Sequence, residues 1–159
     1  MVNAEDAVLA RETGEGKFQV RIETGEHDFL MDEPVAFGGL SSGPSPFDML
    51  GAALGACTLM TMKLYAERKG WAIDGLSVRV THRKSSPEAR DQFEREIHFG
   101  EVTDERRDKL LSIAARCPVH LLLERGSDVS TSVAGAELAG PEGGGLHEQV
   151  IDELCNEAA

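Results

Sequence analysis

The chain contains few cysteines, only three among its 159 residues. A chain of this length can bury about two thirds of its unfolded surface, so it needs no disulfide framework in order to fold. Because the number is odd, any reactive pair of cysteines leaves one cysteine over. A disulfide-rich secreted scaffold is therefore excluded.

Positive charge is also scarce. The chain has 16 lysine and arginine residues against 28 aspartate and glutamate residues, which gives a net charge of −12. A surface of this sign repels phosphate backbones and anionic lipids. We therefore expect neither nucleic acid nor a membrane surface among its partners.

Targeting segments and long uncharged hydrophobic runs are missing as well. No stretch of eighteen uncharged apolar residues is present, as a membrane-spanning helix would require. Residues 1–12 lack the basic region followed by an apolar region that is typical of a signal peptide. We expect a cytoplasmic protein, in which thiols stay reduced unless they have a redox task.

Several well-known motifs are absent too. The chain has no Gly-x-Gly-x-x-Gly, no phosphate-binding loop, no Gly-x-Ser-x-Gly and no His-Glu-x-x-His sequence. Nucleotide-binding, serine hydrolase and zinc protease functions therefore have no support. The hydrophobic fraction of 41% instead indicates an ordinary globular protein.

Hydrophobic periodicity predicts an α+β fold. Alternating patterns predict five strands, at 17–23, 27–31, 76–82, 93–99 and 127–133. Helical patterns follow at 104–116, 119–124 and 146–154. A hairpin, a helix, two strands, a helix and a strand in this order indicate α+β rather than repeated βαβ units. Residues 1–134 are expected to form one domain, followed by a Gly/Pro-rich linker at 135–145 and a short amphipathic helix within 146–159.

A long apolar helix is predicted in the middle of the chain. Ser45 is a suitable cap, Pro46 suits the first helical position, and Asp48 can reach back to the cap. The helix should end near Lys69, because Gly70 is a natural left-handed stop. Asp48 is its only strongly polar residue in the span 47–62, so the helix has to be enclosed on all sides. A homodimer would enclose it.

Two of the cysteines are candidate reactive residues. Cys57 lies in the middle of the apolar helix, where a free cysteine can simply be a small core residue. Cys117 stands immediately before Pro118, where it could cap the next helix and face its free N–H groups. It could equally well just fill a break between helices.

A metal site is a further alternative. The spacing Cys117-x-x-His120 can supply two zinc ligands, but a complete site would also need Cys57, Cys155 or His147 nearby. A half-site is weak support, so we expect no bound metal and no cofactor.

Two motifs resemble those of a known family. The segments Gly43-Pro44-Ser45-Pro46-Phe47-Asp48-Met49-Leu50 and Ala53-Leu54-Gly55-Ala56-Cys57-Thr58 are similar to the central helix of the OsmC/Ohr family. These are the osmotically inducible protein C and organic hydroperoxide resistance proteins. The segment 115–120, Ala-Arg-Cys-Pro-Val-His, resembles the second cysteine motif of this family. Asp32-Glu33-Pro34 and Gly38-Gly39 look like its OsmC-like branch.

The resemblance implies a fold in which two chains intertwine around a pair of central helices packed against antiparallel sheets. It also implies a thiol-dependent peroxidase that reduces organic, lipid-like hydroperoxides. Cys57 matches the cysteine that attacks the peroxide and becomes a sulfenic acid, and Cys117 matches the cysteine that resolves it to a disulfide. An external dithiol then reduces that disulfide.

One family feature is missing from this sequence. The well-characterised peroxidases carry a glutamate ten residues before the first cysteine, where this chain has Phe47. Asp48 is the nearest carboxylate, but one residue along a helix turns a side chain by about 100°. The activating arginine of the family comes from the N-terminal hairpin, where Lys17, Arg21 and Arg11 are the candidates.

The resemblance also suggests a pocket for the substrate. Phe47, Leu54 and Met60 are candidate wall residues for an apolar hydroperoxide, although core packing would explain each of them equally well. A different class of function uses the same pocket: a non-enzymatic binder of a small apolar or acyl ligand.

Overall fold

The computed structural model describes residues 6–141 and 144–158, so residues 142–143 of the predicted linker lie outside it. Within the described residues there are two antiparallel sheets and four α-helices, which confirms the α+β class. The strands are β1 (Leu9–Glu12), β2 (Val20–Thr24), β3 (His27–Met31), β4 (Ser77–Arg83) and β5 (Gln92–His98). The helices are α1 (Pro46–Arg68), α2 (Asp104–Ala114), α3 (Pro118–Arg125) and α4 (Leu146–Glu157).

The chain divides into two compact units. The first consists of Met1–Met49 and Asp128–Gln149, and the second consists of Leu50–Ser127 and Val150–Ala159. Each unit contains one of the two sheets, which are described separately below.

The first unit contains a three-stranded sheet in the order β1-β2-β3. The predicted hairpin is present, but its first strand begins at Val20 rather than at Lys17. Strand β1 was not predicted, because its four residues are too few to show a periodicity. It is held by pairing with β2, in which Leu9 lies opposite Glu23.

The loop after β3 is organised by Asp32, which is 2% exposed. Its carboxylate accepts hydrogen bonds from the backbone N–H groups of Glu33, Leu40 and Ser42 and from the hydroxyl of Ser42. Burial by itself would raise the pKa of Asp32, but these hydrogen bonds outweigh it and hold the pKa below 3.8. The loop therefore folds around a buried carboxylate.

Helix α1 begins and ends where the sequence predicts. The hydroxyl of Ser45 accepts from the N–H of Asp48, and the carboxylate of Asp48 accepts from the N–H of Ser45, at 3.3 and 3.0 Å. This is a reciprocal capping box. At the other end Gly70 has a φ of 66°, the left-handed conformation that stops a helix.

Only one face of α1 is covered within the chain. Leu54, Cys57, Thr58 and Met62 are buried, whereas Met60 is 52% exposed. A single chain does not enclose the helix, as the sequence led us to expect, and its enclosure by a second copy stays a prediction. By length and composition α1 could also cross a membrane, but the core helix of a folded domain passes the same test.

The second unit packs α1 against a hairpin and the remaining helices. Strands β4 and β5 pair antiparallel within one residue of the predicted limits, with Val80 opposite Arg95. Helix α2 starts at the predicted cap, since the hydroxyl of Thr103 accepts from the N–H of Arg106. Leu110 and Ile113 of α2 enter the main core together with Met62.

The predicted strand at 127–133 is wrong, because the structure gives these residues no strand or helix. Val129 and Val133 are 89% and 98% exposed. Alternation favours a strand only where a neighbouring strand and a core are available, and this segment has neither.

The C-terminal helix α4 is present where it was predicted. Ile151 and Cys155 are its buried residues, and the Cys155 thiol donates to the carbonyl of Thr61 in α1 at 3.7 Å. Arg68 of α1 forms an ion pair with Asp152. The last two turns of the tail thus pack as an integral part of the second unit.

Candidate functional site

Cys117 caps helix α3. Its backbone is extended, with φ −61° and ψ 138°, and its sulfur accepts a hydrogen bond from the N–H of His120 at 3.3 Å. Pro118 occupies the first helical position, where a missing N–H costs nothing. The predicted role of Cys117 as a helix cap is therefore confirmed, and its thiol lies at the positive end of the helix dipole.

Cys57 reaches the same helix end from α1. Its sulfur accepts a hydrogen bond from the N–H of Val119 at 3.4 Å. Cys57 and Cys117 are 2% and 0% exposed, and both pack against Leu54 in a small core cluster. The fold therefore brings together two cysteines that lie sixty residues apart in the sequence.

The two thiols lie in one buried cluster and influence each other's ionisation. The Cys57 thiol lowers the pKa of Cys117 below its ordinary value of 9.0, against the effect of burial. The N–H of His120, the hydroxyl of Thr58 and the charge of a nearby arginine, Arg95, lower it further. In return Cys117, together with burial, raises the pKa of Cys57 above 9.0. The pair thus loses its first proton readily and holds the second tightly.

A polar group lies beside the thiols in an otherwise apolar cluster. The hydroxyl of Thr58, which is completely buried, lies 3.8 Å from the sulfur of Cys117 and donates to the carbonyl of Leu54 at 2.7 Å. The same oxygen accepts a hydrogen bond from Nη1 of Arg95 at 2.8 Å. Arg95 therefore approaches the sulfur pair through one hydroxyl.

His120 is engaged by the same arginine. Nη2 of Arg95 donates to Nδ1 of His120 at 2.9 Å, and Nε2 of His120 lies 3.6 Å from the carboxylate of Glu124. A guanidinium can only donate, so Nδ1 is the acceptor and cannot serve as a metal ligand in this arrangement. Within the two described stretches of the chain, no three metal-ligating side chains converge. The Cys117-x-x-His120 spacing is therefore not arranged as a zinc half-site.

A cavity of about 380 Å³ adjoins this network. Arg95 and His120 line it together with the apolar side chains of Leu54, Phe93 and Leu123. Leu54 also belongs to the cysteine cluster, so the cavity and the thiols share one lining residue.

The predicted thiolate-activating residues all lie in the first unit and have partners there. Arg21 forms an ion pair with Asp28, and Lys17 lies over the ring of Phe18 at 4.7 Å from its centroid. Arg11 binds Glu23 at 3.2 Å. Asp48 forms the capping box with Ser45, whose hydroxyl and N–H lower the pKa of the Asp48 carboxyl.

The predicted pocket residues have different environments. Leu54 is buried beside both cysteines, whereas Phe47 and Met60 are 53% and 52% exposed on α1. Of the three, only Leu54 lines the cavity beside the thiols.

Sequence reasoning missed Thr58 and Arg95. Strand β5 alternates, so that Phe93, Arg95 and Ile97 point inward while Glu94 and Glu96 are exposed. An arginine at an inward position of an alternating strand was the available signal, because a buried charge needs a specific partner.

The central part of the chain matches one protein family. The family model described as OsmC-like protein matches residues 39–132, which is more than half of the 159 residues. This stretch contains both cysteine motifs. A comparison with curated proteins finds no significant match.

Solved structures show the same fold. A Psychrobacter arcticus protein described as an osmotic stress induced and detoxification response protein is 22% identical over 72% of this chain and 85% of its own, with a TM-score of 0.63. The organic hydroperoxide resistance protein OsmC of Legionella pneumophila is 16% identical over 75% and 88%, with a TM-score of 0.58. The organic hydroperoxide resistance protein OhrB of Bacillus subtilis is 19% identical over 74% and 88%, with a TM-score of 0.53. With the fold, the paired cysteines and the family match in agreement, the chain belongs to the family of OsmC-like proteins.

Proposed function

We propose that this protein is a thiol-dependent peroxidase that reduces organic hydroperoxides with Cys57 and Cys117. The observation that carries the proposal is that both thiols lie in one buried cluster at the start of α3, where consecutive N–H groups, those of Val119 and His120, donate to the two sulfurs. Disulfide formation requires two thiols that are close together. The names of the Legionella and Bacillus proteins, which refer to organic hydroperoxide resistance, support the same substrate class.

The proposed cycle uses each cysteine once. Cys117, whose pKa is lowered, ionises first and releases its proton to solvent; its thiolate then takes the proton of Cys57 and leaves Cys57 as the attacking thiolate. Its sulfur bonds to the terminal peroxide oxygen, the O–O bond breaks, and the alkoxide takes up a proton and leaves as an alcohol. Cys57 is then a sulfenic acid.

Cys117 completes the oxidative half of the cycle. Its sulfur attacks the sulfur of Cys57, the S–S bond forms, and the hydroxyl group leaves as water with the remaining proton. An external dithiol then supplies two electrons and two protons, becomes a disulfide itself and restores both thiols. The reaction requires no metal or cofactor.

We further propose that the active form is a homodimer. On α1, Phe47, Leu50 and Met60 are 53%, 40% and 52% exposed, so apolar side chains of this helix remain uncovered within the chain. A second copy of α1 would bury these side chains, and Phe47 and Met60 are candidates for an apolar wall suited to a lipid-like hydroperoxide. A mass independent of concentration and equal to one chain, measured by analytical ultracentrifugation, would refute the dimer.

A non-enzymatic binder of an apolar ligand is the alternative function. The thiol pair favours the peroxidase, because a passive apolar pocket has no need of two clustered thiols beside a partly buried arginine. A binder would retain its ligand equally well after Cys57→Ser, whereas a peroxidase would lose turnover.

The direct test is peroxide consumption. Wild-type protein is mixed with cumene hydroperoxide or linoleic acid hydroperoxide and dithiothreitol, and the remaining peroxide is measured over time. We expect catalytic consumption by the wild type, none by Cys57→Ser and wild-type rates for Cys155→Ala, the matched control at the third buried cysteine. Absence of wild-type turnover with either hydroperoxide would overturn the proposal.

A further inference from the structure

Arg95 occupies an unusual place for a charged residue. It points inward from β5, between Phe93 and Ile97, and is partly buried. Removing a guanidinium from water is costly unless its donors are satisfied. The hydrogen-bond partners of Arg95 therefore indicate the role of its charge.

The donors of Arg95 bind neutral acceptors. Nη1 donates to the hydroxyl of Thr58 at 2.8 Å and to the carbonyl of Ala114 at 3.0 Å, and Nη2 donates to the ring of His120 at 2.9 Å. Within the described stretches, no carboxylate forms an ion pair with Arg95, in contrast to Arg79 of β4, which pairs with Glu96. No carboxylate therefore binds the guanidinium directly, while Asp91 and Glu124 line the same cavity as Arg95.

All three acceptors surround Cys117. Ala114 ends α2 three residues before it, and the N–H of His120 donates to its sulfur at 3.3 Å. The hydroxyl of Thr58 lies 3.8 Å from the same sulfur. One guanidinium thus forms hydrogen bonds to the end of α2, the middle of α1 and the start of α3, beside the thiol pair.

We propose that Arg95 is the positioning residue that supplies positive charge to the Cys57–Cys117 pair, in the place of an arginine from the N-terminal hairpin. It acts through space, from a guanidinium held beside Cys117 by its bonds to Thr58, Ala114 and His120, and it stabilises the negative charge of the thiol pair. An opposite charge within about 4–6 Å favours the ionised form of a group by roughly one to three pKa units. The electrostatic role stands by itself; its consequence for peroxide reduction rests on the proposed function.

Other charged and titratable groups lie near Arg95 and the thiol pair. Arg90 and Asp91 line the same cavity as Arg95, and the carboxylate of Asp91 is bound by His82 and Lys84. His120 contributes from α3, and its Nε2 faces Glu124, 3.6 Å away on the same helix. Arg116 precedes Cys117 and lies 3.5 Å from Glu157 of α4. Arg95 is the charged group that β5 contributes.

The test is a titration of the reduced protein, followed by thiolate absorbance near 240 nm in a Cys155→Ala background. We expect Arg95→Gln, which keeps an amide donor but loses the charge, to raise the midpoint of the first thiol ionisation by about one pH unit. That corresponds to a roughly tenfold smaller thiolate population below the midpoint. Arg95→Lys, which keeps the charge without the forked geometry, should restore at least half of the shift.

Two variants control for folding and for general charge effects. Arg79→Gln removes an exposed arginine from the neighbouring strand β4 and should leave the midpoint unchanged. If Arg95→Gln does not fold, Arg95→Met carries the same test, because an apolar chain fits between Phe93 and Ile97. An unchanged midpoint in a folded, charge-free variant, or an equal shift in Arg79→Gln or Arg95→Lys, would overturn the inference.

This result separates the two proposals. The titration involves no peroxide, so a shifted midpoint in Arg95→Gln supports the inference even if the wild type turns over no hydroperoxide. An active wild type with an unshifted variant midpoint would leave the peroxidase proposal intact and reject the role of Arg95.

Discussion

The backbone N–H of Val119 donates to the sulfur of Cys57 at 3.4 Å, although sixty-two residues separate them. The next N–H, that of His120, donates to the sulfur of Cys117 at 3.3 Å. Free N–H groups at a helix start carry partial positive charge and have no partner within the helix. A single helix end therefore serves both thiols and favours one shared negative charge.

The two cysteines should have different roles in one turnover. With one equivalent of cumene hydroperoxide and no reductant, Cys117→Ser should accumulate a sulfenic acid on Cys57, because the resolving thiol is missing. Cys57→Ser should accumulate none, and the wild type should form a disulfide. Dimedone labelling followed by peptide mass spectrometry measures all three. A dimedone adduct on Cys117 in Cys57→Ser, at the rate seen for Cys57, would reverse the assignment.

The low pKa of Cys117 should depend on the neighbouring thiol. Cys57→Ala removes the group that lowers it most, so the pKa of Cys117 should rise toward 9.0 by about one unit or more. Since a lowered pKa keeps the thiolate populated until the pH falls through it, the variant should lose thiolate absorbance at higher pH than the wild type. A midpoint equal to that of the wild type would contradict this prediction. It would show that Thr58, Arg95 and the helix end lower the pKa of Cys117 fully without Cys57.

Gly39 should tolerate no side chain. A Cβ atom there would lie 1.8 Å from the carbonyl oxygen of Glu33, closer than any contact allows, so the Asp32 loop would have to move. We expect Gly39→Ala to destabilise the protein by about 1–3 kcal/mol, as overpacking typically does. Thermal unfolding followed by circular dichroism measures the loss. Gly135→Ala is the control, because nothing lies within 4 Å of its Cβ position, and it should behave as the wild type.

The free energy of unfolding should depend on pH in the acid range because of Asp32. Because its hydrogen bonds hold its pKa below 3.8 in the folded chain, its ionised form stabilises the fold above 3.8, and this contribution is lost as the pH falls through the lower folded pKa. Asp32→Asn should therefore be less stable than the wild type near neutral pH, with a difference that shrinks below pH 3.8. Urea unfolding at several pH values checks this. Asp128→Asn, at an exposed position, should show no such convergence.

The sequence alone predicted the helices whose ends are marked by capping residues or by proline. The capping box of Ser45 and Asp48, the cap at Thr103 and the break at Pro118 each depend on groups within a few residues. The same reasoning failed for 127–133, where alternation was present but the described part of the chain pairs no strand with it, and for β1, which pairs with β2.

The candidate site was predicted less completely. The two motifs identified Cys57 and Cys117, and the cap position of Cys117 followed from Pro118. The sequence favoured cations of the N-terminal hairpin, because family resemblance pointed there. Arg95 became visible only when β5 was placed beside α1, α2 and α3.

By itself, then, the sequence determined the elements whose ends are marked by caps and breaks, the apolar central helix and the identity of the two cysteines. Only the tertiary structure decided that Val119 and His120 direct their N–H groups at different sulfurs and that a strand arginine reaches the hydroxyl of Thr58. The physical reason is the range of the forces involved. Capping acts within one helical turn, whereas contact between two thiols sixty residues apart depends on how every intervening element packs.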